Sequence, residues 1–211
     1  MKNQNLLYKV NQFKRTRSLN PLFKHFHTRS GIVLCLLIIL EFSFLKAGAQ
    51  IYPSGFSQVQ VALGLTNPTI MQFAPDGRLF IAQQNGILRV FKNGSMLTKP
   101  FITVPVNFSG ERGLLGIAFD PAFASNKFIY LYYTLSSGAN NRISRFTASG
   151  DTVIPGSEVL VLNLDPLSTA TNHNGGTMQF GPDGKLYVGV GENANSANAQ
   201  NLDTYRENST D

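Results

Sequence analysis

The chain has one cysteine, Cys35, among 211 residues, which excludes a disulfide framework and a cysteine-based zinc site. Charged residues make up 14%, too few for a coiled coil or a long helical bundle. No stretch after residue 50 keeps a helical apolar period over three turns. Three common cofactor and nucleophile signatures are also missing. There is no Gly-x-Gly-x-x-Gly ahead of a helix, no Gly-Lys-Ser/Thr phosphate loop and no Gly-x-Ser-x-Gly elbow. Hydrophobic residues, at 43%, are too many for a disordered chain.

The net charge of +6 suggests a nucleic-acid partner until the chain is divided. Residues 1–50 hold eight Lys and Arg against one acid, Glu41; residues 51–211 hold ten against eleven. The excess belongs to the N-terminal segment, and the rest has no electrostatic footprint for DNA or RNA. That segment has a basic stretch, a ten-residue apolar run (Gly31–Leu40) and Ala47-Gly48-Ala49 before Gln50. This is the layout of a secretory signal peptide over residues 1–49, with a long basic n-region and the rest of the chain as one domain, 50–211. The apolar run is short for a membrane span of roughly 20 residues, so a membrane partner requires this segment to stay uncleaved as an anchor. An exported protein, periplasmic or extracellular, is expected.

What is present after residue 50 is a series of short β-rich runs between turns. Strands are expected near Gln58–Leu63, Thr69–Phe73, Leu79–Gln83, Ile87–Phe91, Phe101–Val104, Leu115–Phe119, Phe128–Thr134, Arg142–Phe146, Val159–Leu164, Thr177–Phe180 and Leu186–Val190. The runs repeat. Phe73-Ala-Pro-Asp-Gly-Arg-Leu-Phe-Ile aligns with Phe180-Gly-Pro-Asp-Gly-Lys-Leu-Tyr-Val, and Phe119-Asp-Pro-Ala-Phe is a looser copy. A β-rich repeat of roughly 40–50 residues has the length of a four-stranded propeller blade. An all-β propeller is therefore expected, with an insertion around Asp165–Asn174. Residues 51–211 amount to about three and a half blades at ~45 residues each, and closed propellers have four to eight. On this count the sequence is expected to be the N-terminal part of a longer protein.

Only one histidine, His173, lies after residue 50, in Thr171-Asn-His-Asn-Gly-Gly just before a predicted inner strand. In a propeller such a loop opens onto the channel where ligands bind. A histidine there suits a general base, since its ordinary pKa is near neutrality. Position alone equally allows a solvated loop histidine with no role. The matching loop of the preceding repeat, Ser109-Gly-Glu-Arg-Gly-Leu-Leu-Gly, places Glu111 beside Arg112; a solvated ion pair in a polar turn is the alternative. Glu192 follows the strand after the Pro-Asp-Gly turn, so a hairpin returns it to the rim of His173. There its carboxylate can orient the imidazole or stand as a plain rim acid. A histidine-based zinc site has too few histidines, and no metal site is expected among these residues. The Asn193–Asp203 stretch offers oxygen ligands for calcium but not the spacing of an EF-hand loop.

Four ordered motifs carry a family resemblance. They are Gly110-Glu-Arg-Gly-Leu-Leu-Gly-Ile-Ala-Phe-Asp-Pro-Ala-Phe, Phe128-Ile-Tyr-Leu-Tyr-Tyr-Thr, Asn141-Arg-Ile-Ser-Arg-Phe, and the run from His173 to Val188. From about Leu63 to Arg206 the sequence resembles the soluble PQQ-dependent glucose/sorbosone (aldose sugar) dehydrogenases. The resemblance implies a six-bladed β-propeller, about three blades of it in this chain. It implies PQQ as cofactor, an aldose and an electron acceptor as partners, and oxidation at the sugar C1 hydroxyl to the lactone. His173 matches the family's catalytic base, and Glu192 matches a family Asp near it. Glu111, Arg112 and Asn172 fall at cofactor-side positions. Glu111 stands where the glucose enzymes have a quinone-contacting Gln, and Asn172 stands where they have Asp. A carboxylate at 111 is expected to repel the carboxylates of PQQ unless it is protonated or paired with Arg112. The family's calcium ligands and further cofactor-binding cations would lie in blades after this sequence. A non-catalytic propeller module that binds carbohydrate or a protein is the alternative reading.

Overall fold

The computed structural model describes residues 52–199. The expected signal segment, with Cys35, His25 and His27, lies outside them, as does the end of the Asn193–Asp203 stretch. Residues 58–199 belong to one compact unit, to which everything below refers.

Three antiparallel sheets follow one another along the chain. The first contains β1 (Pro68–Phe73), β2 (Leu79–Gln83), β3 (Ile87–Lys92) and β4 (Ser95–Met96) in that order, with β5 (Ile102–Thr103) also on β3. The second runs β6 (Leu114–Phe119), β7 (Phe128–Thr134), β8 (Asn140–Ser149) and β10 (Val159–Pro166), with β9 (Thr152–Val153) on the far end of β8. The third is the hairpin of β11 (Gly175–Phe180) and β12 (Leu186–Val190). Sequential pairing by short turns explains the order, and the Pro-Asp-Gly turns close the β1–β2 and β11–β12 hairpins. In each, the Gly takes a positive φ, 86° at Gly77 and 78° at Gly184. One turn of helix, α1 (Phe123–Asn126), replaces the tight turn between β6 and β7.

The first strands of the three sheets, β1, β6 and β11, stand next to one another, and each sheet grows outward from them. This is the blade arrangement of a β-propeller. The faces between blades form two cores. Phe80 on β2 sits at the centre of the first, edge-on to Phe101 and Phe119 at ring-centroid distances of 5.1 and 5.0 Å. The second packs Tyr132 and Ile143 against Met178, with Leu186 and Val188 at its edge. The middle blade is thus covered on both faces, and β6 and β7 are buried almost throughout. On the outer blades burial is uneven: β2 is buried throughout, β12 alternates half-buried with exposed residues, and β1 leaves Met71 and Phe73 about two-thirds exposed.

Most expected strands form within a few residues of their predicted ends. Gln58–Leu63 does not: it forms no strand. Its alternating Val59, Val61 and Leu63 are exposed, so the pattern reflects chain composition without a sheet to receive it. Part of the segment lines a shallow groove beside β3 and β4 instead. The region expected to hold an insertion is the end of β10 and the connection to β11, which carries His173.

Candidate functional site

The site lies on the rim where β6 and β11 begin. In the β11–β12 register Gly175 faces Val190, so His173, two residues before the pair, and Glu192, two residues after it, meet across the hairpin end. His173 Nδ1 and Glu192 Oε1 are hydrogen-bonded, and the pair is ionic when the ring is protonated. Gly191 makes the approach possible, because a Cβ there would overlap the His173 carbonyl oxygen. His173 has φ 58°, a left-handed conformation that costs a side-chain-bearing residue roughly 1–2 kcal/mol. Its main chain is bonded on both sides. The N–H donates to Glu111 Oε2 at 2.6 Å, and the carbonyl accepts from the Asn193 N–H at 3.2 Å.

The ring is half exposed, and its Nε2 has no protein partner among the described residues. The Glu192 hydrogen bond, then the Glu192 charge, raise the His173 pKa above its ordinary value, and Glu111 adds to the rise. The Glu192 carboxyl is held below its usual range by the same bond. The result is an oriented imidazole with one nitrogen fixed and the other accessible.

Glu111 and Arg112 lie side by side in the chain but serve opposite directions. The Glu111 N–H donates to the Thr171 carbonyl at 2.8 Å while its carboxylate takes the His173 N–H. Arg112 turns into the protein and is buried; its Nη2 donates to the carbonyls of Ser168 and Ala170 at 2.8 and 2.9 Å. Among the described residues the ion pairs do not include Glu111 with Arg112. Asn172 is half-buried in the same loop, beside the base.

Four supports of this loop carry no chemical signature in the sequence. Gln84, just after β2, donates through Nε2 to the Gly110 and Arg112 carbonyls at 2.5 and 2.9 Å, which fixes the Glu111 loop from the first blade. Tyr132 donates to the Asn174 carbonyl at 2.7 Å. Asn174 is buried, donates to Thr171 O at 3.1 Å and meets Asn141 at 3.4 Å. The adjacent Gly175-Gly176 pair was the available clue that backbone closes tightly here: a Cβ on Gly176 would meet Leu115 of β6 at 2.6 Å.

A model of the glucose/sorbosone dehydrogenase family matches residues 65–206. The chain belongs to this family. An aldose sugar dehydrogenase of Escherichia coli is 31% identical over 145 residues, which are 66% of this chain and 39% of that enzyme. The PQQ-bound aldose sugar dehydrogenase of Streptomyces coelicolor superposes with a TM-score of 0.56 at 33% identity, over 65% of this chain and 41% of that one. Mouse Hedgehog-interacting protein is 28% identical over 151 residues, 63% of this chain and 22% of that protein. The chain thus spans well under half the length of these relatives.

The described rim offers an oriented imidazole with an accessible Nε2. Its arginine, Arg112, is buried with Nη2 on loop carbonyls, so it does not stand as an open cation for the carboxylates of PQQ. Among the described residues there is also no cluster of three or more His, Cys, Asp or Glu side chains suited to a metal ion. No helix among them is long and apolar enough to cross a membrane.

Proposed function

We propose that this chain contributes the base-bearing side of a PQQ-dependent aldose dehydrogenase active site. The observation that carries the reading is the His173–Glu192 pair, with Nε2 open, on the rim of a propeller of this family. His173 Nε2 takes the proton from the C1 hydroxyl of an aldose, and the neighbouring carboxylate stabilises the imidazolium that results. Bound PQQ would supply the two-electron acceptor for the C1 hydride, with the lactone as the sugar product. By the family resemblance, Asn172 and the Glu111 loop would face the cofactor.

Two further parts of the reading rest on other observations. Exposed apolar side chains on the inner strand of the first blade, Met71 and Phe73 of β1, support a chain that is an incomplete copy of a larger ring. The cations that hold PQQ, and any calcium, would then belong to the remaining blades. The basic, apolar and Ala-Gly-Ala segments of residues 1–49 support export. The even charge balance after residue 50 supports a small-molecule substrate over a nucleic acid.

A non-catalytic binding module remains as a second reading, favoured by the lack of a free cation on the described rim. One titration separates the two. In a full-length version carrying these residues, PQQ with an aldose and a redox dye should give dye reduction that His173→Ala lowers by about 10²–10⁴. Dye reduction that is absent, or indifferent to His173, leaves the binding module.

A further inference from the structure

Resting on His173 as the base, we propose that Glu111 is a positioning residue, which holds the base loop by its main chain from the neighbouring blade. The family resemblance puts a cofactor contact at this position. The geometry gives the side chain a different task. Glu111 brackets the loop with two bonds, its N–H to Thr171 O at 2.8 Å and its carboxylate Oε2 to the His173 N–H at 2.6 Å. The second bond falls on the residue whose backbone is in the left-handed region, which alone disfavours a histidine. A bond from an N–H to a carboxylate is roughly twice as strong as one to a neutral acceptor. The His173 ring is anchored separately, by Glu192 from its own hairpin. The amide is therefore set by the second blade and the ring by the third, and Nε2 projects from a residue fixed at both ends.

The support is itself supported. Gln84 of the first blade ties down Gly110 and Arg112 on either side of Glu111, and the Leu114 N–H donates to Gln84 O at 3.1 Å. Gly110 has φ 62°, and a Cβ there would crowd the Thr171 side chain, with Thr171 Cβ at 2.7 Å. A larger residue at 110 would part Glu111 from the loop it grips.

The charged groups acting on the imidazole are Glu192 across the hairpin and Glu111 from the second blade, both carboxylates. Removing the Glu111 charge should therefore lower the affinity of the ring for a proton, while leaving its bond to Glu192 in place. A residue that merely filled space would not do this.

The test uses the 211-residue chain without cofactor, followed by NMR, with Glu111→Gln and Glu111→Ala. Glu111→Ala should speed hydrogen exchange at the His173 amide tenfold or more. Glu111→Gln keeps an acceptor oxygen, so exchange should stay within threefold of the parent. Both variants should shift the imidazole titration to lower pH. Unchanged exchange in Glu111→Ala overturns the proposal. If that variant does not fold, the near-isosteric Glu111→Gln decides, and an imidazole titration that does not move in it also overturns the proposal. Neither readout depends on turnover. Failure of the dehydrogenase reading would appear only as absent dye reduction in the full-length protein, with the exchange and titration effects intact.

Discussion

The Tyr132 hydroxyl, on the second strand of one blade, donates to the carbonyl of Asn174 in the next, at 2.7 Å and one residue from His173. Tyr132 is fully buried, so the bond has no water to replace it. Tyr132→Phe should therefore destabilise the fold by about 1–2 kcal/mol, the range for losing a buried hydrogen bond and leaving its acceptor with only the Asn141 Nδ2 donor at 3.4 Å. Chemical denaturation checks the stability. On the proposed dehydrogenase reading, a complete propeller carrying these residues should lose kcat more than KM changes, because His173 moves while the sugar-binding groups stay. Equal stability in the two forms would show that the carbonyl finds another donor.

The pH dependence follows from the directions of two shifts. His173 is raised by Glu192, and Glu192 is lowered by His173. A base works only when neutral, so the acid limb of the kcat/KM profile should lie above the ordinary histidine pKa of about 6.5. Glu192→Gln should move that limb down toward the ordinary value. For stability the sign is opposite. The raised imidazole contributes fully below about pH 6.5 and loses its contribution as pH rises through its folded-state pKa. On the acid side the contribution goes as Glu192 is protonated through its lowered pKa. Urea midpoints between pH 4 and pH 9 should be highest in the window between these two limits in the parent, and the dependence should flatten in Glu192→Gln.

Gly191→Ala tests the closeness of the hairpin end. Its Cβ would overlap the His173 carbonyl, and the obstructing atom is backbone. The loop must shift, at a cost of about 1–3 kcal/mol. Turnover should fall with the stability, and the His173 titration should return toward its ordinary value as the Glu192 contact opens. A thermal melt and an NMR titration of the same sample read both effects.

Phe80→Ala should be the most damaging single change. Phe80 is fully buried between two other phenylalanines at the first blade junction. Truncating a buried aromatic costs about 3–5 kcal/mol. Arg78, on the opposite rim, is a milder case. Its guanidinium joins Asp76 in the first blade to Gly150 O at 2.6 Å and Asp151 at 3.1 Å in the second. Its partners are partly exposed, so Arg78→Ala should cost about 1.5–3 kcal/mol. Equal losses for Phe80→Ala and Arg78→Ala would mean that ion pairing, not packing, dominates the junction.

The blade repeat was readable because its turns use Pro-Asp-Gly, whose chemistry is local, and short β-rich runs flank them. His173 and Glu192 were readable because hairpin register follows from the turn between them. Two features were not. Gln58–Leu63 alternates as a strand does, yet strand formation needs a partner edge, and that is a property of distant chain. The separate tasks of Glu111 and Arg112 were hidden for the same reason. Two adjacent charges suggest a pair, but which carbonyl or amide each one meets is decided by the neighbouring blade. Gln84 and Tyr132 are ordinary residues in the sequence and become supports only through contacts 26 or more residues away.

The supports of the rim all point one way along the chain. Gln84 fixes the loop at 110–112, that loop fixes Thr171 and His173, and Glu192 arrives last to take the ring. A ribosome makes these parts in the same order. Each loop can settle against a blade that has already left the exit tunnel, and none has to wait for chain not yet synthesised until the final hairpin closes. Circular permutation that keeps every contact but places β11 and β12 first would remove this order. The base loop would then emerge with nothing to lean on, and the yield of soluble protein would fall even where the finished fold was equally stable.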